Sequence, residues 1–135
     1  MSCRYQGIFI LLAAVFFCWF CLFPVFCPGL AFAMSAGETE RVERMLEALS
    51  RESGIVFIRN DAEHTAEAAA AHLKKKFEYA ANNLSTAEEF IDKVGSRSSL
   101  SNREYLVRKT GEKARPARDY LFELLRRLDS NAASP

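Results

Sequence analysis

The sequence predicts an α+β domain: about four helices packed on two short β-hairpins that form a small antiparallel sheet. Three observations carry that prediction. Four segments between Glu38 and Leu128 repeat apolar residues every three to four positions, the period of an amphipathic helix. Two runs, around Phe57 and around Leu106, are instead short, β-branched or aromatic, and followed by turn residues. Strands so few and so short cannot bury a core by themselves, so helices must cover them.

The first helix is expected over Glu38 to Ser53, with Val42, Met45, Leu46 and Leu49 on its apolar face and Gly54 to end it. Ile55 to Arg59 reads as a strand, Asn60-Asp61 as its turn, and Glu63-His64 as the return. Thr65 is placed to cap the second helix, whose inner face carries Ala66, Ala69, Ala70, Leu73, Phe77 and Ala80. Small side chains there let a neighbour approach closely. Thr86 and Glu89 have the spacing of a capping box ahead of Phe90, Ile91 and Val94, and Gly95 ends that third helix. Glu104 to Arg108 reads as the next strand, Thr110-Gly111 as a turn and Glu112 to Arg115 as the return. Pro116 suits the first turn of the last helix, where Tyr120, Leu121, Leu124, Leu125 and Leu128 point inward.

The two hairpin-helix units hint at a repeat. Phe57-Ile58-Arg59-Asn60, then Glu63 and His72-Leu73, parallels Leu106-Val107-Arg108-Lys109, then Glu112 and Tyr120-Leu121, with a one-residue offset.

Ahead of these elements, Ile8 to Phe23 is apolar and uncharged, preceded by Arg4 and followed by Pro24, Pro28 and Gly29. Ala31 and Ala33 flank Phe32, the small-residue pattern a signal peptidase accepts. Residues 1–33 are therefore expected to be a cleavable signal peptide, and 34–135 one periplasmic domain with 129–135 frayed. A spanning helix needs about 20 apolar residues, a length this block reaches only by running through Pro24, which weakens a helix. The alternative is an anchor made by the uncleaved N-terminal helix; otherwise membrane contact is expected only through this segment before cleavage. Cys3, Cys18, Cys21 and Cys27 all fall on the leader, so the mature domain is expected to hold together by packing alone. With Arg4 removed, the 18 Lys+Arg fall to 17 against 17 Asp+Glu. That balance gives no electrostatic reason to expect nucleic acid as a partner.

Several segments in order, Phe57-Ile58-Arg59-Asn60, Thr65-Ala66-Glu67-Ala68-Ala69 with His72-Leu73, Thr86 to Lys93, and Ser98 to Ser101 ahead of Tyr105-Leu106, resemble the YfeK-like family. The resemblance covers about Val42 to Leu128. It implies a small exported bacterial protein, periplasmic and of uncharacterised function, and transfers no catalytic residue. Asn60-Asp61 departs from the Asn-Gly type of turn expected there, a change Asp tolerates.

Candidate chemistry is sparse. His64 with Glu63 and Glu67 is a conceivable metal set, but His72 lies two helical turns on, about 10 Å along the axis, and no His-Glu-x-x-His spacing occurs. His64 reads better as a strand-edge side chain and His72 as a half-buried helix residue bonded locally, and no metal site or cofactor is expected. Glu88 and Glu89 are adjacent, hence about 100° apart around a helix, and suit its N-terminus better than paired acid chemistry. Lys74 to Lys76 reads as a solvated face. The Ser96 to Ser101 loop offers hydroxyls and Arg97 for an anion or glycan, against the plainer role of bonding nearby backbone. Arg59 and Arg108, at matching strand ends if the repeat is real, would line one groove, or else pair with Glu63 and Glu112 across their hairpins. These observations favour a non-catalytic binding or adaptor module that recognises an envelope protein, a peptide or a glycan. Its expected contacts are Arg59, Arg97, Ser98, Ser99, Ser101 and Arg108. The alternative is a small hydrolase using Ser98 or Ser99 with His64 or His72, though the sequence has no Gly-x-Ser-x-Gly elbow.

Overall fold

The computed structural model describes residues 33–133, and these show an α+β fold. The expected leader, with Ala31, the cysteines and the apolar block, lies outside the described residues; Ala33 is the first of them. Among the described residues no helix is long and apolar enough to cross a membrane.

Helix α1 (Ala36–Ser50) starts earlier than the sequence predicted because Ser35 caps it, its Oγ accepting from the Glu38 amide at 3.3 Å. It buries Val42, Met45, Leu46 and Leu49, the predicted stripe. Gly54, at φ +72°, then turns the chain into β1 (Ile55–Arg59). Asn60 and Asp61 take φ of 49° and 66°, the left-handed pair that a two-residue hairpin needs. They lead to β2 (Ala62–Thr65). Thr65 Oγ1 accepts from the Ala68 amide at 3.2 Å and opens α2 (Ala66–Ala80).

After a 3-10 turn (Ala81–Asn83), α3 (Ala87–Phe90) runs into a π-helical turn (Ile91–Gly95) rather than the plain helix expected. Apolar residues at Phe90, Ile91 and Val94 fit either winding, so their spacing could not distinguish the two. The π-turn sets Gly95 against the last helix, where an added Cβ would come within 3.1 Å of Leu121 Cδ1. Thr86 Oγ1 accepts from the Glu89 amide at 3.1 Å as predicted. The reciprocal arm differs: the Glu89 carboxylate accepts from Ser85, at 2.7 Å, not from Thr86.

The second hairpin is shorter than expected. Strand β3 covers Leu106–Lys109 and β4 only Arg115–Pro116, because Glu112 to Ala114 fall in the longer turn between them and do not pair. Glu104 joins Arg97 in an isolated bridge instead of the strand. Helix α4 (Ala117–Ala132) continues past Asp129, where a frayed tail was expected, because Arg41 of α1 holds the Asp129 carboxylate at 2.7 Å.

The four strands form one antiparallel sheet in the order β2-β1-β3-β4. The two hairpins therefore share a sheet, joined through their inner strands. Alternation sends Ile55, Phe57 and Val107 into the core with Leu73, Phe90, Leu121 and Leu124. Val56, Ile58 and Leu106 are only half-buried, on the opposite face.

The repeat is real in three dimensions, but its register differs from the sequence match. Phe57 pairs with His64 in one hairpin and Val107 with Arg115 in the other. Thr65 and Pro116 stand immediately before the two helices. The equivalent pairs are thus Phe57 and Val107, Arg59 and Lys109, His64 and Arg115, and Ala69 and Tyr120, with the extra residue taken up in the second turn. Arg59 does not match Arg108.

Candidate functional site

One groove gathers chemistry from three parts of the fold. It lies between α2 and the first hairpin, with a volume of about 380 Å³. Strand β1 brings Phe57 and Arg59, β2 brings His64, and Tyr105 enters just ahead of β3. Helix α2 contributes Ala68, Ala69, His72 and Lys75. Arg59 reaches the groove because it shares the parity of Phe57, two residues apart on one face of a strand.

The groove is cationic. Arg59 is half-buried, and among the described residues no carboxylate forms an ion pair with it. Most other arginines are paired, as in the bidentate Arg103–Asp61 contact at 2.5 and 2.7 Å. His64 Nε2 is buried without a hydrogen-bond partner, an arrangement that costs free energy unless something supplies the bond. Burial lowers the pKa of His72, and the charges of Arg59 and Lys76 lower it further, which disfavours the protonated imidazole. Burial raises the Tyr105 phenol, while Arg59 and a hydrogen bond with Ser98 pull it the other way. Tyr105 meets the His72 ring edge-on, with centroids 6.4 Å apart.

Lys76 is not the solvated side chain its Lys74-Lys75-Lys76 run suggested. Its Nζ donates to the carbonyls of Val94 at 2.6 Å and Arg97 at 2.9 Å, and sits 5.2 Å from the Tyr105 ring centre. It thereby ties α2 to the carbonyls that end the π-turn.

The other expected contacts lie elsewhere. Arg108 faces the open side of the sheet, since it pairs in register with Val56, and its guanidinium meets Glu63 at 2.7 Å. Arg59 and Arg108 therefore occupy opposite faces and cannot line one groove; Glu112 is not the partner of Arg108. In the loop, Ser96 and Ser98 are buried. Ser96 Oγ donates to the Asp92 carbonyl at 2.7 Å, and Ser98 Oγ accepts from the Ser101 amide at 3.3 Å. Ser101 Oγ donates to Asn60 Oδ1 at 2.8 Å, so the loop leans on the first hairpin turn. Ser99 is exposed, and Arg97 reaches Asn102 at 3.3 Å. The side-chain bonds of Ser98 and Ser101 go to Tyr105, the loop backbone and Asn60, none to a histidine. His64 and His72 do line one groove, although one stands on β2 and the other two turns along α2. Glu88 binds Arg41, at 2.6 Å, in addition to bonding the start of its own helix.

A second groove of about 610 Å³ lies on the other flank of α2, between it and α1. Glu43, Glu47, Glu67 and Glu78 line it with Lys74. These side chains are exposed.

Tyr105 and Lys76 had no sequence signal beyond an aromatic beside a strand and a lysine within a run. That Arg59 and His64 stand on one face of the hairpin was readable from strand parity.

A family model described as "Family of unknown function (DUF5329)" matches residues 36–129. The chain is 40% identical over 72 residues to "Uncharacterized protein YfeK" of Salmonella typhimurium, covering 53% of this chain and 60% of that protein. The chain thus spans less than two thirds of the length of that relative. No solved structure matches it.

Proposed function

The chain belongs to this YfeK-like family of unknown function, DUF5329, and on that footing we propose that it is a non-catalytic binding module. Its ligand is an anionic segment of another envelope protein or peptide, held in the groove between α2 and the first hairpin. The observation that carries the reading is Arg59: half-buried, in a groove with His64, His72 and Lys75, and without a paired carboxylate among the described residues. The Arg59 and Lys75 charges, gathered at one concave place, raise each other's energy, and an anion bound there lowers it. The compartment we propose is the periplasm, from the apolar leader and the Ala31-Phe32-Ala33 site.

Site-specific photo-crosslinking from position 75 in intact cells tests this. A partner captured by the wild type and lost in Arg59→Ala is the expected result. An identical capture pattern in both sinks the proposal.

A further inference from the structure

The internal repeat carries its own template for what the groove binds. In the second unit, Tyr120 of α4 packs edge-on to Phe57, with centroids 6.3 Å apart. Lys109 Nζ lies 5.9 Å and the Arg115 guanidinium 5.5 Å from its ring centre. Glu123, one turn further along α4, clamps Arg115 through two bonds of 2.7 and 2.8 Å. Two cations, a ring and a carboxylate make a closed set.

The first unit has Arg59 and the His64 imidazole at the positions of the two cations and lacks the rest. Arg59 stands where Lys109 does, and His64 where Arg115 does. At the position of Tyr120 is Ala69, and at the position of Glu123 is His72, both lining the groove. The volume a ring fills in one half is open in the other, and the carboxylate that would satisfy the basic groups is missing. His64 Nε2, buried and unbonded, is the residue of that missing contact.

The geometry points to an aromatic carboxylate as the occupant: the C-terminal aromatic residue of a peptide chain, its ring over Ala69 and against Phe57 and its carboxylate between Arg59 and His64. This rests on the proposal that the groove takes an anionic segment. A chain end suits the site better than a free acid because Ala68 and Ala71 form an exposed rim. A chain leaving the groove there passes nothing larger than a methyl group. The sandwich of ring and cations is the arrangement already built around Tyr120, so it needs no new kind of contact.

Calorimetric titration of the full chain with acetyl-Gly-Gly-Phe as the free acid tests the assignment. Binding should weaken at least tenfold for the C-terminal amide, for acetyl-Gly-Gly-Ala acid, and for wild-type ligand against Arg59→Met. Ala69→Tyr should fill the groove as Tyr120 fills its own, leaving the melting temperature unchanged or higher and abolishing binding. Acetyl-phenylalanine alone should bind more weakly than the tripeptide; equal binding overturns the chain-end assignment. Equal binding of the alanine-terminated acid overturns the ring and leaves the anionic-groove reading standing. Ala69→Tyr that binds like the wild type overturns the location. Absence of binding by any acid, together with an Arg59-dependent crosslink, overturns the aromatic carboxylate alone. If the crosslink too is insensitive to Arg59, the anionic groove falls with it.

Discussion

Arg41 of α1 is the most heavily committed side chain among the described residues. Its guanidinium meets Glu88 at 2.6 Å, Asp129 at 2.7 Å and Glu38 at 2.9 Å, joining α1, α3 and α4 at one point. Arg41→Met keeps most of the stem and removes the charge, leaving three carboxylates facing one another. A charge-assisted bond that is well desolvated contributes about 1.5–3 kcal/mol, and an exposed pair about 0.2–1 kcal/mol. Arg41 is 23% exposed and its partners 24–44%, so each contact belongs nearer the lower range. Three contacts then amount to about 2 kcal/mol, or a fall of roughly 8–16 °C in melting temperature for a domain this size. The sign with pH is fixed by Glu88, whose pKa Arg41 lowers from its ordinary 4.5. A depressed carboxylate stabilises above its unfolded pKa and loses that contribution as pH falls through its folded one. The gap between wild type and Arg41→Met should therefore be widest near neutral pH and shrink below pH about 4.5. Thermal melts of the full chain followed by circular dichroism at neutral and acid pH measure it. A gap below about 0.5 kcal/mol at neutrality, or one of equal size at both pH values, refutes the argument.

Two further outcomes follow from the groove and its support. Lys76→Met removes both bonds to the π-turn carbonyls and should cost about 2 kcal/mol, with amide exchange rising around Val94 to Arg97 more than elsewhere; uniform exchange across the chain would show that Lys76 does not hold that turn. Arg59→Ala should raise the His72 pKa, read by an NMR titration of its imidazole, because Arg59 is the leading charge that depresses it, with Lys76, His64 and Lys75 also facing the ring. Since the folded pKa lies below the ordinary 6.5, protonating His72 costs the folded state more than the unfolded one, so stability falls as pH drops below that value; an unmoved His72 pKa in the variant would mean that the Arg59 charge does not reach the ring.

Helix α1, the Thr65 cap and the Asn60-Asp61 turn were legible because each rests on local rules: apolar spacing, a hydroxyl before a helix, residues that tolerate positive φ. The family was legible for the same reason, in runs of residues read in order. The site was legible only in part. Arg59 stands on β1 and lines the groove, but it was matched to Arg108, because a short sequence repeat cannot show the extra residue in the second hairpin turn. One residue of slip moves a strand side chain to the other face of the sheet, which is where Arg108 lies.

The sequence by itself determined the element order, the helix faces and the composition of an α+β domain, since these follow from chain-local periodicity and capping. Tertiary structure decided which cations were left without carboxylates and which half of the repeat kept an open groove. Those depend on pairs far apart in the chain, such as Arg41 with Asp129, Arg108 with Glu63, and Lys76 with the Val94 carbonyl. No local rule assigns a charge to a partner that only folding brings within reach.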